Sequence, residues 1–131
     1  MTLALRAMTQ LAAWPDLSEA RPSCGTGRAL RSARDEIVHF HSDHDADLHL
    51  TTRAIRRYED HLMGAGAVRM VPGSRWVTIR LEVDGDIHLL LTLVSLALQS
   101  HQRWPASGDT APADCNEHRG TSLPRTILSG S

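Results

Sequence analysis

Between Ile37 and Leu50 the chain concentrates side chains that can move protons or hold a cation. His39, His41, His44 and His49 stand there with Asp43, Asp45 and Asp47, half of the eight histidines in the sequence. Val38 and Phe40 alternate with His39 and His41, and Leu48 and Leu50 alternate with Asp47 and His49. A period of two is that of a β-strand with unlike faces. A three-residue turn at Asp43-His44-Asp45 pairs Phe40 with Leu48, Val38 with Leu50, His41 with Asp47 and His39 with His49, which separates polar from apolar. A two-residue turn at Asp43-His44 mixes them. The expected hairpin therefore gathers three imidazoles and one carboxylate on one face, where opposed Cβ atoms lie about 4.5–5.5 Å apart. His39, His41, Asp47 and His49 would suit zinc or another first-row divalent cation. Without an ion the same set is a solvated face with a His41–Asp47 hydrogen bond, and it should be the less buried face of its sheet. No HExxH spacing is present. A calcium loop starting at Asp43, Asp45 and Asp47 lacks its glycine and distal glutamate.

The elements around this hairpin can be read from spacing. Leu3, Leu5, Met8, Leu11 and Ala12 predict a helix over residues 2 to 13, closed by Pro15. Residues 20 to 50 hold two turn clusters, Cys24-Gly25-Thr26-Gly27 and Ser42 to Asp45, between strand-like runs. A helix then begins at Thr51 or Thr52, with Ile55, Tyr58 and Leu62 as its apolar stripe, and ends at Gly64 and Gly66. A hairpin follows, Val68 to Val71 and Trp76 to Val83 around Pro72-Gly73-Ser74. Val77, Ile79 and Leu81 share one of its faces; Trp76, Thr78 and Arg80 share the other. The last helix starts at Asp84 and reaches about His101. Ile87, Leu90, Leu91, Val94 and Leu98 form one stripe, while Leu89, Leu93 and Leu96 take much of the opposite side. A helix apolar nearly all round must be covered nearly all round, either by the N-terminal helix or by a second subunit. The fold class expected is α+β: an antiparallel sheet of four to five strands with helices mainly on one face. Residues 1–101 would form one domain and 102–131 a disordered tail, rich in Ser, Thr, Gly, Pro and Ala.

Composition limits the alternatives. The chain has 131 residues, 41% apolar and 22% charged, with a formal charge of −1. That balance argues against a general nucleic-acid binder, and no apolar run approaches the ~20 residues of a membrane span. The first residues lack the basic region and small-residue site of a targeting segment, so the expectation is cytoplasmic. Cys24 and Cys115 make no disulfide framework, and Cys24 has no base beside it in the sequence. Gly25-Thr26-Gly27 is too short for a phosphate loop. Arg53, Arg56 and Arg57, beside Glu59 and Asp60, read as a solvated helix face.

Taken together, Leu11 to Ala13, Pro15, Arg21-Pro22-Ser23, Glu36 to His41, Asp47, Leu50-Thr51, Ile55, Ser74, Trp76-Val77 and the Leu-rich final helix resemble the small bacterial "luciferase domain" family. The resemblance covers residues 11 to 101. It rests on a His-Phe-His strand, an Asp-x-x-Leu-Thr helix entry and a Ser-x-Trp-Val strand, and it implies a short α+β protein. The family name implies a light-emitting oxidoreductase, for which the chain carries no dinucleotide fingerprint. His39, His41, Asp47 and Trp76 fall on matching positions and are the candidate ligand-binding residues. His49 departs from the pattern, which has Arg there. Two functions follow as expectations. The first is a binding domain that self-associates through its last helix as a homo-oligomer. The second is a small metal- or ligand-binding enzyme using the His39/His41/Asp47 face. The sequence names neither a substrate nor a catalytic residue.

Overall fold

A computed structural model describes residues 2–22, 25 and 27–103. The elements run α1 (Leu3–Ala12), β1 (Ser18–Ala20), β2 (Arg28–Arg31), β3 (Glu36–Phe40), β4 (Asp45–His49), α2 (Thr52–Arg57), α3 (Glu59–Gly64), β5 (Val68–Met70), β6 (Trp76–Arg80) and α4 (Asp84–Arg103). The strands form one antiparallel sheet of six, one more than the upper expectation, in the order β1-β2-β3-β4-β6-β5. The fold is α+β. The extra strand is β1, only three residues long, too short to show an alternation in the sequence.

α1 begins where the Thr2 hydroxyl accepts the Leu5 amide. It buries Ala4, Ala7, Met8 and Leu11, a stripe rotated from the expected one, so that Leu5 is an exposed leucine. Small alanines let the helix lie close to its neighbours. α1 packs on α4 and β2, and α4 packs on β3, β4 and β6. Their apolar side chains meet Leu30, Val38, Phe40, Ala46, Leu48, Val77 and Ile79 in one core.

α4 is covered within its own chain. α1 and α2 both pack against it, Leu93 is buried and Leu89, Leu91 and Leu96 are half-buried. Its exposed line is His88, Thr92, Ser95 and Gln99, spaced to lie on one face. The Thr92 and Ser95 hydroxyls donate to the carbonyls one turn back, those of His88 and Leu91. The helix extends two residues past the expected end, through Gln102 to Arg103. The remainder of the expected tail, with Cys115, lies outside the described residues, as does Cys24. The expected helix over 51–64 is two short helices meeting at Tyr58, whose backbone (φ −108°, ψ 19°) leaves the helical region. No helix of the described residues is long and apolar enough to cross a membrane.

The β3–β4 hairpin has a different register from the expected one. Val38 pairs with Leu48 and His39 with Asp47, two residues away from the predicted Val38–Leu50 and His39–His49 pairs. The loop is set by Ser42, whose hydroxyl accepts the His44 amide and donates to Asp45 Oδ1. This local turn competes with one centred on the three acidic and histidine residues. A slip of two keeps every side chain on its face, so the separation of polar from apolar survives.

Candidate functional site

Pairing across the sheet aligns Ala20, Ala29, His39, Asp47, Thr78 and Arg69 in one row. The next row holds His49 opposite Trp76. All of these lie on the face away from the α1–α4 core, since Leu48, Val77 and Val38 alternate with them. The expectation that this face would be the less buried one is overturned. His39 is 1% exposed, Trp76 2%, Asp47 4%, Thr78 5% and His49 8%. Trp76 packs against two imidazoles, tilted against His39 at 4.6 Å and stacked on His49 at 4.8 Å. His41 meets the His39 ring edge-on at 5.5 Å.

The polar atoms are held by short hydrogen bonds. Thr78 Oγ1 donates to Asp47 Oδ1 at 2.7 Å, and Glu36 Oε1 lies 2.7 Å from His39 Nε2. His41 Nε2 stands 4.0 Å from Asp47 Oδ2, beyond hydrogen-bond length; the predicted His41–Asp47 contact is an ion-pair distance and no more. At the other end of the row, His49 Nδ1 donates to the Glu36 carbonyl at 3.2 Å, and His101 Nε2 donates to the His49 carbonyl at 2.9 Å. His101 Nδ1 faces Asp35 at 3.3 Å. The His49 and His101 rings meet edge-on at 4.4 Å. Burial pushes the His49 pKa down to about 3, helped by the nearby charges of His101, Arg75 and His39 and opposed by its bond to Glu36.

The backbone that positions these groups is under local strain. Thr51, two residues beyond His49, has φ +83°, rare for a β-branched residue. Four contacts hold it there. The Leu50 and Thr51 amides both donate to the Arg75 carbonyl, at 3.1 and 3.0 Å. The Thr51 hydroxyl caps α2 by accepting the Ala54 amide and meets the Ser100 hydroxyl at 2.9 Å. Next to Trp76, the Ser74 hydroxyl accepts the Trp76 amide at 3.0 Å. These contacts tie β4 to β6 and fix the stack of His49 on Trp76.

The four side chains expected to converge are thus divided. His39, His41 and Asp47 are neighbours, whereas His49 turns its Nδ1 to a carbonyl and its ring to Trp76. Among the described residues, no group of three or more His, Cys, Asp or Glu side chains is arranged to hold a metal ion. Glu36, Thr78 and His101 join the cluster without having been singled out. Thr78 shares the period of Trp76 and was placed on its face. His101 comes from the end of a helix far along the chain and gave no local signal.

The same segment carries the comparison with known proteins. Residues 34–97 match the family described as Luciferase domain. That stretch, just under half of the chain, is similar to a luciferase domain. No curated protein and no solved structure matches the chain. The family's stretch begins just before β3 and ends within α4, so it contains the hairpin, the strained helix entry, the Ser74–Trp76 turn and β6. Within the matched stretch lie His39, Asp47, Thr51, Ser74 and Trp76, each bonded or stacked as described above.

Proposed function

We propose that the polar face of this domain binds a small polar ligand, with His39, His41 and Asp47 as its acid–base groups. The observation that carries this reading is the burial of His39, Asp47 and Thr78, with Glu36 and His41 half-buried beside them, on the face opposite the apolar core. Withdrawing so many titratable groups from water costs stability unless each finds partners. Groups buried in this way are concentrated where chemistry is done. Trp76 packs against both imidazoles, so its part is to align those rings.

The test is a thermal-shift and amide-NMR screen against small carboxylates, phosphates, aldehydes and amino acids. A member that binds should lose its effect in His41→Ala and Asp47→Asn while both variants keep the amide spectrum of the folded protein. Elemental analysis of the same purified protein distinguishes a divalent cation from an organic ligand: near one equivalent of zinc, lost in His39→Ala, identifies the cation. A screen without a single binder and without metal would sink the proposal.

A second reading, self-association through α4, is favoured by one cavity. Tyr58, Leu62, Val68, Leu89, Leu93 and Leu96 line an apolar hollow of about 330 Å³ on the flank of the helix. Light scattering over a range of concentrations tests it, and a dimer that persists unchanged in Leu89→Glu would exclude α4 as the contact.

A further inference from the structure

β3 contains a bulge, and the bulge changes which residues can work together. Leu30 pairs with Val38 but Arg31 pairs with Glu36, leaving Ile37 as the extra residue. In a regular strand, residues three apart lie on opposite faces. Glu36 would then share the face of Val38, away from His39. The bulge resets the alternation. Ile37 and Val38 both enter the apolar core, and Glu36 falls opposite Arg31, on the face of Ala29 and His39. Its carboxylate reaches His39 Nε2 at 2.7 Å, beside an imidazole only 1% exposed.

A carboxylate only accepts hydrogen bonds, so this contact places a proton on Nε2 of His39. In the neutral ring, Nδ1 then carries the lone pair. A carboxylate that fixes the tautomer of a histidine and raises its basicity is the recurring partner of a working imidazole, whether the other nitrogen takes a proton or a cation. We propose that Glu36 is the positioning residue of this site and makes Nδ1 the working nitrogen of His39. The inference deepens the acid–base reading given above. It also distinguishes the two carboxylates by their shortest contacts: Asp47 Oδ1 accepts from Thr78 and Glu36 Oε1 accepts from His39.

Long-range nitrogen–proton NMR of the histidine rings in the full chain at pH 8 tests this directly. The wild-type protein should show a protonated-type nitrogen at Nε2 of His39 and a lone-pair-type nitrogen at Nδ1. In Glu36→Ala that bias should be lost, and Glu36→Gln, which keeps an accepting oxygen, should restore part of it. A proton on Nδ1 of His39 in the wild type, alone or with Nε2, overturns the proposal. So does a His39 signal unchanged in Glu36→Ala. The wild-type measurement needs no variant to fold and no ligand to be known. Its failure is therefore separate from that of the ligand screen.

Discussion

The two faces of the sheet are both withdrawn from water, but by different means. One face presents Leu30, Val38, Leu48, Val77 and Ile79 to α1 and α4, and dispersion and area burial hold it. The other presents Ala29, His39, Asp47, Thr78 and Trp76, where directional bonds and ring stacking do the holding. Apolar packing tolerates rearrangement of similar volumes, whereas a buried polar network is satisfied as a whole or not at all. The apolar face should therefore control stability and the polar face should control binding. Four experiments can break or sharpen that division.

The largest effect is expected from Leu48→Ala, a fully buried side chain on the apolar face. It should destabilise by about 2–5 kcal/mol in urea titrations; a loss below about 1 kcal/mol would show that the helices do not seal this face. Next is acidity. His49 has its folded pKa depressed to about 3 from 6.5. Between those values the unfolded chain takes up the proton more readily, so stability rises with pH through that window and is lost as pH falls. The slope approaches about 1.4 kcal/mol per pH unit. Urea midpoints at pH 7 and pH 5 should show it, and His49→Phe should flatten it. An unchanged slope in that variant would move the effect to another group.

A smaller loss is expected at the β1–β2 turn. Gly27 has φ +81°, and a Cβ there would clash with the Phe40 carbonyl oxygen. Gly27→Ala should cost about 1–3 kcal/mol, the usual range for such backbone strain. Calorimetry checks this, and a neutral result would mean that β2 and β3 move apart freely. The smallest effect on stability is expected from Asp47→Asn. An amide oxygen can still accept from Thr78, and removing a buried charge offsets part of the loss. The change should stay within about 1.5 kcal/mol, the net worth of an ordinary hydrogen bond, while ligand binding disappears. If Asp47→Asn instead destabilises as much as Leu48→Ala, the polar face is structural.

Much of this division was legible before any coordinates. Strict alternation in Val38-His39-Phe40-His41 and in Asp47-Leu48-His49-Leu50 separates the faces whatever the exact register, because a slip of two leaves faces intact. Trp76 and Thr78 could be placed beside each other for the same reason. The pairing itself was misread because Ser42 makes a side-chain turn that hydropathy does not record. The burial of the polar face was misread because polarity was taken to mean solvent, and two histidines packed against a tryptophan escape that rule. Glu36 was hidden by the bulge, which depends on how β2 and β3 fit together and leaves no trace in the spacing of either strand. His101 reaches the site only because α4 crosses the sheet, a tertiary fact.

The strand order carries a consequence for how the domain comes into being. β1 to β4 are sequential neighbours and can pair as they leave the ribosome, by short loop closures. β4 must then wait for β6, because its partner is not the next strand but the one after. Until Trp76 to Arg80 have emerged, β4 is an open edge with unpaired amides, and Asp47 and His49 lack Thr78 and Trp76. A nascent or truncated chain ending before β6 offers that edge to any other strand. The assembly of the polar row is thus the late event of folding, and aggregation of interrupted chains is its alternative.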